Sequence, residues 1–394
     1  MTNPVFTAAV VTSDNHCHEG LKAMAEVSYF EESADIQSFE TQTGAPWGLQ
    51  RISSDAGASG SAQGQDFTYT FDDPTLGKGV DIYVIDTGVR TSHAVFTGRA
   101  QEGFSFTGSA ADGDGHGTHV AGSAGGAKFG VAQAANIYAV KVLGDDGSGS
   151  SSNTIAGMDW VIKNHEKRKS EPGFVGSIMS MSWGLQGTAQ AVDDVILGAV
   201  QAGIHVSVAA GNDGADACLS TPSHNGGANS DVITVGSVNI DNQVSSFSNI
   251  GACVDIFAPG EQILSAWNTG DNIINFLSGT SMACPHVSGT MAYLMAQDPA
   301  QFGQNPKALK AHLLETARKN AFTGSTAGAA NLLLSNGANG NVSKRDLFKN
   351  WVVPDRDAKR TVTGSPAAWA KDLVNNGGLE KKWVVHSTDS PLRL

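Results

Sequence analysis

Residues 80–88 read Val80-Asp81-Ile82-Tyr83-Val84-Ile85-Asp86-Thr87-Gly88. Such a run is too short for a helix and nearly all apolar, so it reads as a buried strand that ends on an acid and a turn. Working outward, residues 137–142 form a second strand candidate, followed by the flexible run 145–152. Ile155, Met158, Val161 and Ile162 then recur three or four residues apart, which predicts a helix. Residues 178–182 and 204–210 are further strands, separated by a helical stretch over 189–202. Residues 281–296 and 306–317 read as the last two major helices. Strand and helix alternating in this way imply a mostly parallel sheet with helices on both faces. Sites in such sheets gather beyond the carboxyl ends of strands, where Asp86 and Asn212 both fall.

The 394 residues are 40% hydrophobic, only 16% charged, and include 47 glycines, a profile that suits a loop-rich enzyme with a large core. A formal net charge of −13 argues against a nucleic-acid partner, since phosphates would be repelled. No stretch reaches the roughly 18 to 20 apolar residues that span a bilayer, so no membrane association is expected. Residues 5–11 are apolar but lack a preceding Lys or Arg, and no signal peptide is visible. The four cysteines show no C-x-x-C spacing, which disfavours a structural zinc site.

Three motifs carry chemistry: Asp86-Thr87-Gly88, His116-Gly117-Thr118-His119 and Gly279-Thr280-Ser281-Met282-Ala283-Cys284-Pro285-His286. A serine hydroxyl is a weak nucleophile and needs a base; an imidazole with a pKa of about 6.5 suits that task. A carboxylate must then hold the ring in one tautomer and stabilise its cation. Asp86, His116 and Ser281 stand in one of the chain orders in which that geometry arises. Ser281 opens a helix, whose N-terminal N–H groups can stabilise an oxyanion, and Pro285 is expected in the first turn, where its missing N–H is harmless. Asn212, in Ala209-Ala210-Gly211-Asn212, supplies a second donor, an interaction typically worth about 3 to 4 kcal/mol of barrier. His119, His286 and Cys284 read as packing residues; no Glu lies between His116 and His119 as in a zinc-protease helix.

Together these motifs resemble those of the subtilase superfamily, over residues 45 to about 336, and most closely the proteinase K branch with its cerevisin-like enzymes. The resemblance implies a three-layer α/β sandwich around a mostly parallel central sheet. It implies a serine endopeptidase acting on proteins and peptides, with no cofactor required for chemistry. Gly147, Ser148 and Gly149 match one substrate-binding edge, and Ser182, Trp183 and Gly184 the opposite one. Backbone pairing there gives affinity with little selectivity. Ala209, Ala210 and Gly211 would line a pocket roomy enough for large apolar or aromatic groups. Trp183 departs from the family's leucine, which would narrow the cleft or favour aromatic residues upstream. Cys218 and Cys253 match positions that are bridged in some relatives, which points to an oxidising compartment, secreted or vacuolar. Asp255, with the carbonyls of Ser230 and Val232, matches a structural calcium site, although Ser230 replaces a proline.

Residues 1–44 are expected to be a truncated remnant of the family's inhibitory propeptide, with a strand near 27–32 and cleavage between about 39 and 45. The propeptide would serve as an intramolecular inhibitor of a monomeric enzyme. Residues 337–394 form an extension with no subtilase motif, net charge +4, a sequon at Asn341 and dibasic pairs at Lys344-Arg345 and Lys359-Arg360. A catalytically silent binding protein and a zymogen that never matures are the competing readings.

Overall fold

A computed structural model describes residues 40–338, and beyond them the backbone of one strand pairing, Trp351–Val352 with His386–Ser387. The expected propeptide strand, the sequon and the dibasic pairs lie outside the described residues.

The apolar run Val80–Asp86 is a strand, β1. It is followed by β2 (Ala100–Ser105), β3 (Asn136–Lys141), β4 (Gly176–Met181), β5 (His205–Ala209), β6 (Ile233–Val238), β7 (Ile256–Pro259), β8 (Arg318–Lys319) and β9 (Leu332–Leu333). These nine make one sheet in the order β8-β9-β7-β6-β5-β4-β1-β3-β2. Every neighbouring pair is parallel except β8 with β9. The chain fills one side of β1 with β3 and β2, then crosses to β4 on the other. That crossing makes the carboxyl ends of β1 and β4 a topological switch point.

Alternation along the strands divides the core. Ile82 and Val84 join a cluster with Val120 and Ala124 of helix α1 (His116–Gly125). Tyr83 and Ile85 join another with Met158 and Val161 of α2 (Ser151–Arg168) and with Val192 and Ile196 of α3 (Gln190–Gln201). Period-two burial of both faces is what a fully covered parallel sheet requires, and it produces three layers. Helix α4 (Thr280–Gln297) lies in the first cluster with α5 (Pro306–Thr316). From Thr280 to Met295 every residue of α4 is buried except Ser281. A helix apolar all round must be enclosed, and this one presents a single hydroxyl at its exposed end.

Strand Glu40–Ala45 pairs antiparallel with Phe67–Phe71, so it straddles the boundary expected at residues 44 and 45. Gln42 ties it to the peptidase, donating to the Lys128 carbonyl at 2.8 Å and accepting from Gln133 at 2.6 Å.

Candidate active site

Asp86, the last residue of β1, is fully buried, while the His116 side chain at the start of α1 is 26% exposed. His116 Nδ1 and Asp86 Oδ1 lie 2.7 Å apart. Burial alone would lower the His116 pKa; the Asp86 charge and hydrogen bond, with Asp114 and Asp112 nearby, more than offset it. The net shift is upward from 6.5. The hydrogen bond fixes the tautomer of the neutral ring, leaving Nε2 as the acceptor.

Asp112 organises this corner, and the sequence reading missed it. Its Oδ1 accepts from the Thr87 hydroxyl and from the Asp114 and Gly115 N–H groups, and its Oδ2 accepts from the Thr118 N–H and hydroxyl. Thr87 Oγ1 in turn accepts from the Gly117 N–H at 2.9 Å, so the first two motifs are interlocked. A Cβ on Gly117 would stand 2.1 Å from the Gly88 carbonyl, which explains the glycine. Ala110-Ala111-Asp112-Gly113-Asp114 has no periodicity or motif that would have singled out this acid.

Ser281 is the second residue of α4. Its hydroxyl donates to the Ser182 carbonyl at 3.1 Å, and the Ser182 hydroxyl donates back to the Ser281 carbonyl at 2.9 Å. Among the hydrogen bonds of the described residues, none joins Ser281 Oγ to His116. Pro285 stands five residues after the first helical residue, in the second turn, and the expectation of a first-turn proline is corrected. Its missing N–H is the one that would have served the Ser281 carbonyl four residues back. The Ser182 hydroxyl takes that place.

Asn212 is exposed just beyond β5, and its orientation is set from its oxygen. Oδ1 accepts from the Thr280 N–H at 2.8 Å and the Thr280 hydroxyl at 2.9 Å, which leaves the amide N–H₂ facing elsewhere. A Cβ built on Gly279 would stand 3.6 Å from both Asn212 Nδ2 and the Ser281 backbone nitrogen. Both donors therefore lie close to one point beside Gly279.

The remaining predicted residues lie at or just past the carboxyl ends of β3, β4 and β5. Gly147, Ser148 and Gly149 are exposed on a tight loop closed by Gly144 N–H to the Ser148 carbonyl, 2.7 Å. Just past β4, Ser182 is buried and Gly184 exposed. Trp183 is half-buried against the α2–α3 side of the core, and its indole N–H donates to the Ile85 carbonyl at 2.9 Å, one residue before Asp86. Ala209 and Ala210 are buried. Gly211 has φ +107°, and a Cβ there would meet the Asn249 amide at 2.3 Å. Asn249 accepts from the Asp213 and Ala215 N–H groups and donates to the Ala210 carbonyl, holding the loop that bears Asn212.

Cys218 and Cys253 form a disulfide with Cα atoms 5.3 Å apart. Cys284 is a buried free thiol, raised in pKa by burial. His119 and His286 are buried, and burial lowers them to about 3 and about 4.

The set expected to hold calcium does not fit that ion. The carbonyls of Ser230 and Val232 and the Asp255 carboxylate do converge, but on the Lys310 ammonium, 2.8 Å from each. A cation already fills the position.

Residues 77–341 match the subtilase family, Peptidase S8. The chain is 41% identical over 364 residues to the subtilisin-like serine protease Pen ch 18 of Penicillium rubens, covering 88% of this chain and 72% of that protein. It is 38% identical over 353 residues to alkaline protease 2 of Aspergillus fumigatus, covering 84% and 70%. Among solved structures, a cold adapted subtilisin-like serine proteinase is similar at 39% identity and a TM-score of 0.65, over 75% of this chain and 99% of that one.

Proposed function

Because the chain belongs to the subtilase family and is a serine endopeptidase, we propose that Ser281, His116 and Asp86 hydrolyse peptide bonds through an acyl-enzyme. Ser281 Oγ attacks the scissile carbonyl while His116 Nε2 takes its proton. Asn212 Nδ2 and the Ser281 N–H hold the oxyanion in the position flanked by Gly279. His116 then gives the proton to the departing amine as the C–N bond breaks, and water repeats the sequence to release the acid. Asp86 stabilises the imidazolium between the two transfers. The observation that carries this reading is the 2.7 Å contact of His116 with a fully buried Asp86. No metal enters any step.

An extended substrate lies between residues 147–149 and 182–184, with the residue before the scissile bond against Ala209, Ala210 and Gly211. Their small side chains support a preference for apolar or aromatic groups. The disulfide supports a working place outside the reducing cytosol, extracellular or vacuolar. Maturation removes an inhibitory segment just ahead of Glu40, because the strand from Glu40 onward is built into the peptidase, which then works as a monomer.

Digestion of casein by the mature protein and by Ser281→Ala tests the assignment. A loss of about 10⁶-fold in kcat, with a phosphonyl adduct mapped to Ser281 in the parent, is expected. Equal digestion by both, or an adduct elsewhere, overturns it. Soluble parent protein that digests nothing supports the binding-protein or zymogen readings.

A further inference from the structure

Lys310 lies on α5, a position where a lysine ordinarily reaches solvent, yet its side chain is only 9% exposed. Its ammonium donates to the carbonyls of Gly227, Ser230 and Val232, each at 2.8 Å, and pairs with Asp255 Oδ1, also at 2.8 Å. Asp255 is 3% exposed, and its other oxygen accepts from the Thr234 N–H at 2.8 Å. Four oxygens from the 227–232 loop and the start of β7 thus surround one nitrogen. We propose that the Lys310 ammonium is the resident cation of this site, and that it holds the loop in place of calcium.

Charge and distance carry the argument. Asp255 and Lys310 cancel, so the buried site is neutral as it stands; a divalent ion added beside the ammonium would leave a buried excess of two charges. The oxygens stand at hydrogen-bond distance from a nitrogen, whereas calcium draws its ligands in to about 2.3–2.6 Å. A lysine bears three donors, and here they are shared among three carbonyls and one carboxylate. The loop it secures runs back to Ser220–Thr221, which pairs with Leu185–Gln186 beside the cleft edge. A covalently attached cation cannot be removed by a chelator, so the cleft edge keeps its support whatever the calcium level.

Hydrogen exchange of residues 224–232, measured in the inactive Ser281→Ala protein with chelator and with millimolar calcium, reads this site alone. Protection unchanged by calcium is expected; protection that rises with calcium overturns the proposal. Lys310→Ala in the same background should lose that protection and melt on the order of 10 °C lower in chelator, because it leaves Asp255 buried and unpaired. A Lys310→Ala protein with the parent's protection and Tm overturns it equally. If Lys310→Ala does not fold, the calcium comparison on the parent loop decides alone.

Discussion

Asn212 is held by its oxygen so that its nitrogen stays free, and Thr280 supplies both contacts that do this. Asn212→Ala is therefore expected to lower kcat about 10²- to 10³-fold with KM little changed, since the lost donor acts on charge that develops only in the transition state. Thr280→Val keeps the backbone contact and removes the hydroxyl; a loss of about tenfold, the rate equivalent of one hydrogen bond, should appear on a chromogenic peptide. His116 must be neutral to take a proton, and its pKa stands above 6.5. The acid limb of kcat/KM should accordingly have its midpoint above that value, with activity falling as pH drops through it. Asp86→Asn should move the midpoint down and reduce kcat by about 10⁴-fold. Asp86, His116, Ser281 and Asn212 were legible because each sits in a short motif whose residue types have few other uses. Asp112, Asn249 and Lys310 were not, because single polar residues acquire their partners only when distant loops meet.

Helix α4 carries Ser281, the proposed nucleophile, and also a gap in its own hydrogen bonding. Pro285 leaves the Ser281 carbonyl without its helical donor, and the Ser182 hydroxyl fills the vacancy. Ser182→Ala should cost about tenfold in kcat, and the cost should shrink in a Pro285→Ala background, where a helical N–H can serve the carbonyl instead. Additive effects in that double-mutant cycle would show that the two residues act separately. Among the strands, β1, β3, β4 and β5 announced themselves as apolar runs because both their faces are buried. Strand β2 did not: Ala100-Gln101-Glu102-Gly103-Phe104-Ser105 sits at the sheet edge, with no residue fully buried and no alternation to read. Strand β6 was hidden by Gly236 and Ser237; the glycine is there because the Phe257 ring lies 2.5 Å from where its Cβ would be.

For the molecule as a whole, three of the buried histidines, His119, His205 and His286, are lowered by burial to about 3, about 4 and about 4. Above about pH 6.5 they are neutral whether folded or not, and stability does not depend on them. As pH falls from there toward 4, the unfolded chain binds protons that the folded one refuses. Each histidine then subtracts on the order of 1.4 kcal/mol per pH unit, so the Tm of the inactive Ser281→Ala protein should fall steeply over that window. His205→Gln, by removing one such group, should make the slope shallower. The layered architecture was legible because short apolar runs alternate with helix-spaced segments over most of the peptidase. The strand Glu40–Ala45 was not placed, since its polar sequence owes its position to an antiparallel partner 22 to 31 positions on, beyond an intervening helix.

Ser281, in this resting state, lends its hydroxyl proton to the Ser182 carbonyl. To react it must first swap partners, a rotation about a single side-chain torsion. That one hydrogen bond is worth only about 1 kcal/mol, so the hydroxyl is given up as readily to a small phosphonylating reagent as to a peptide.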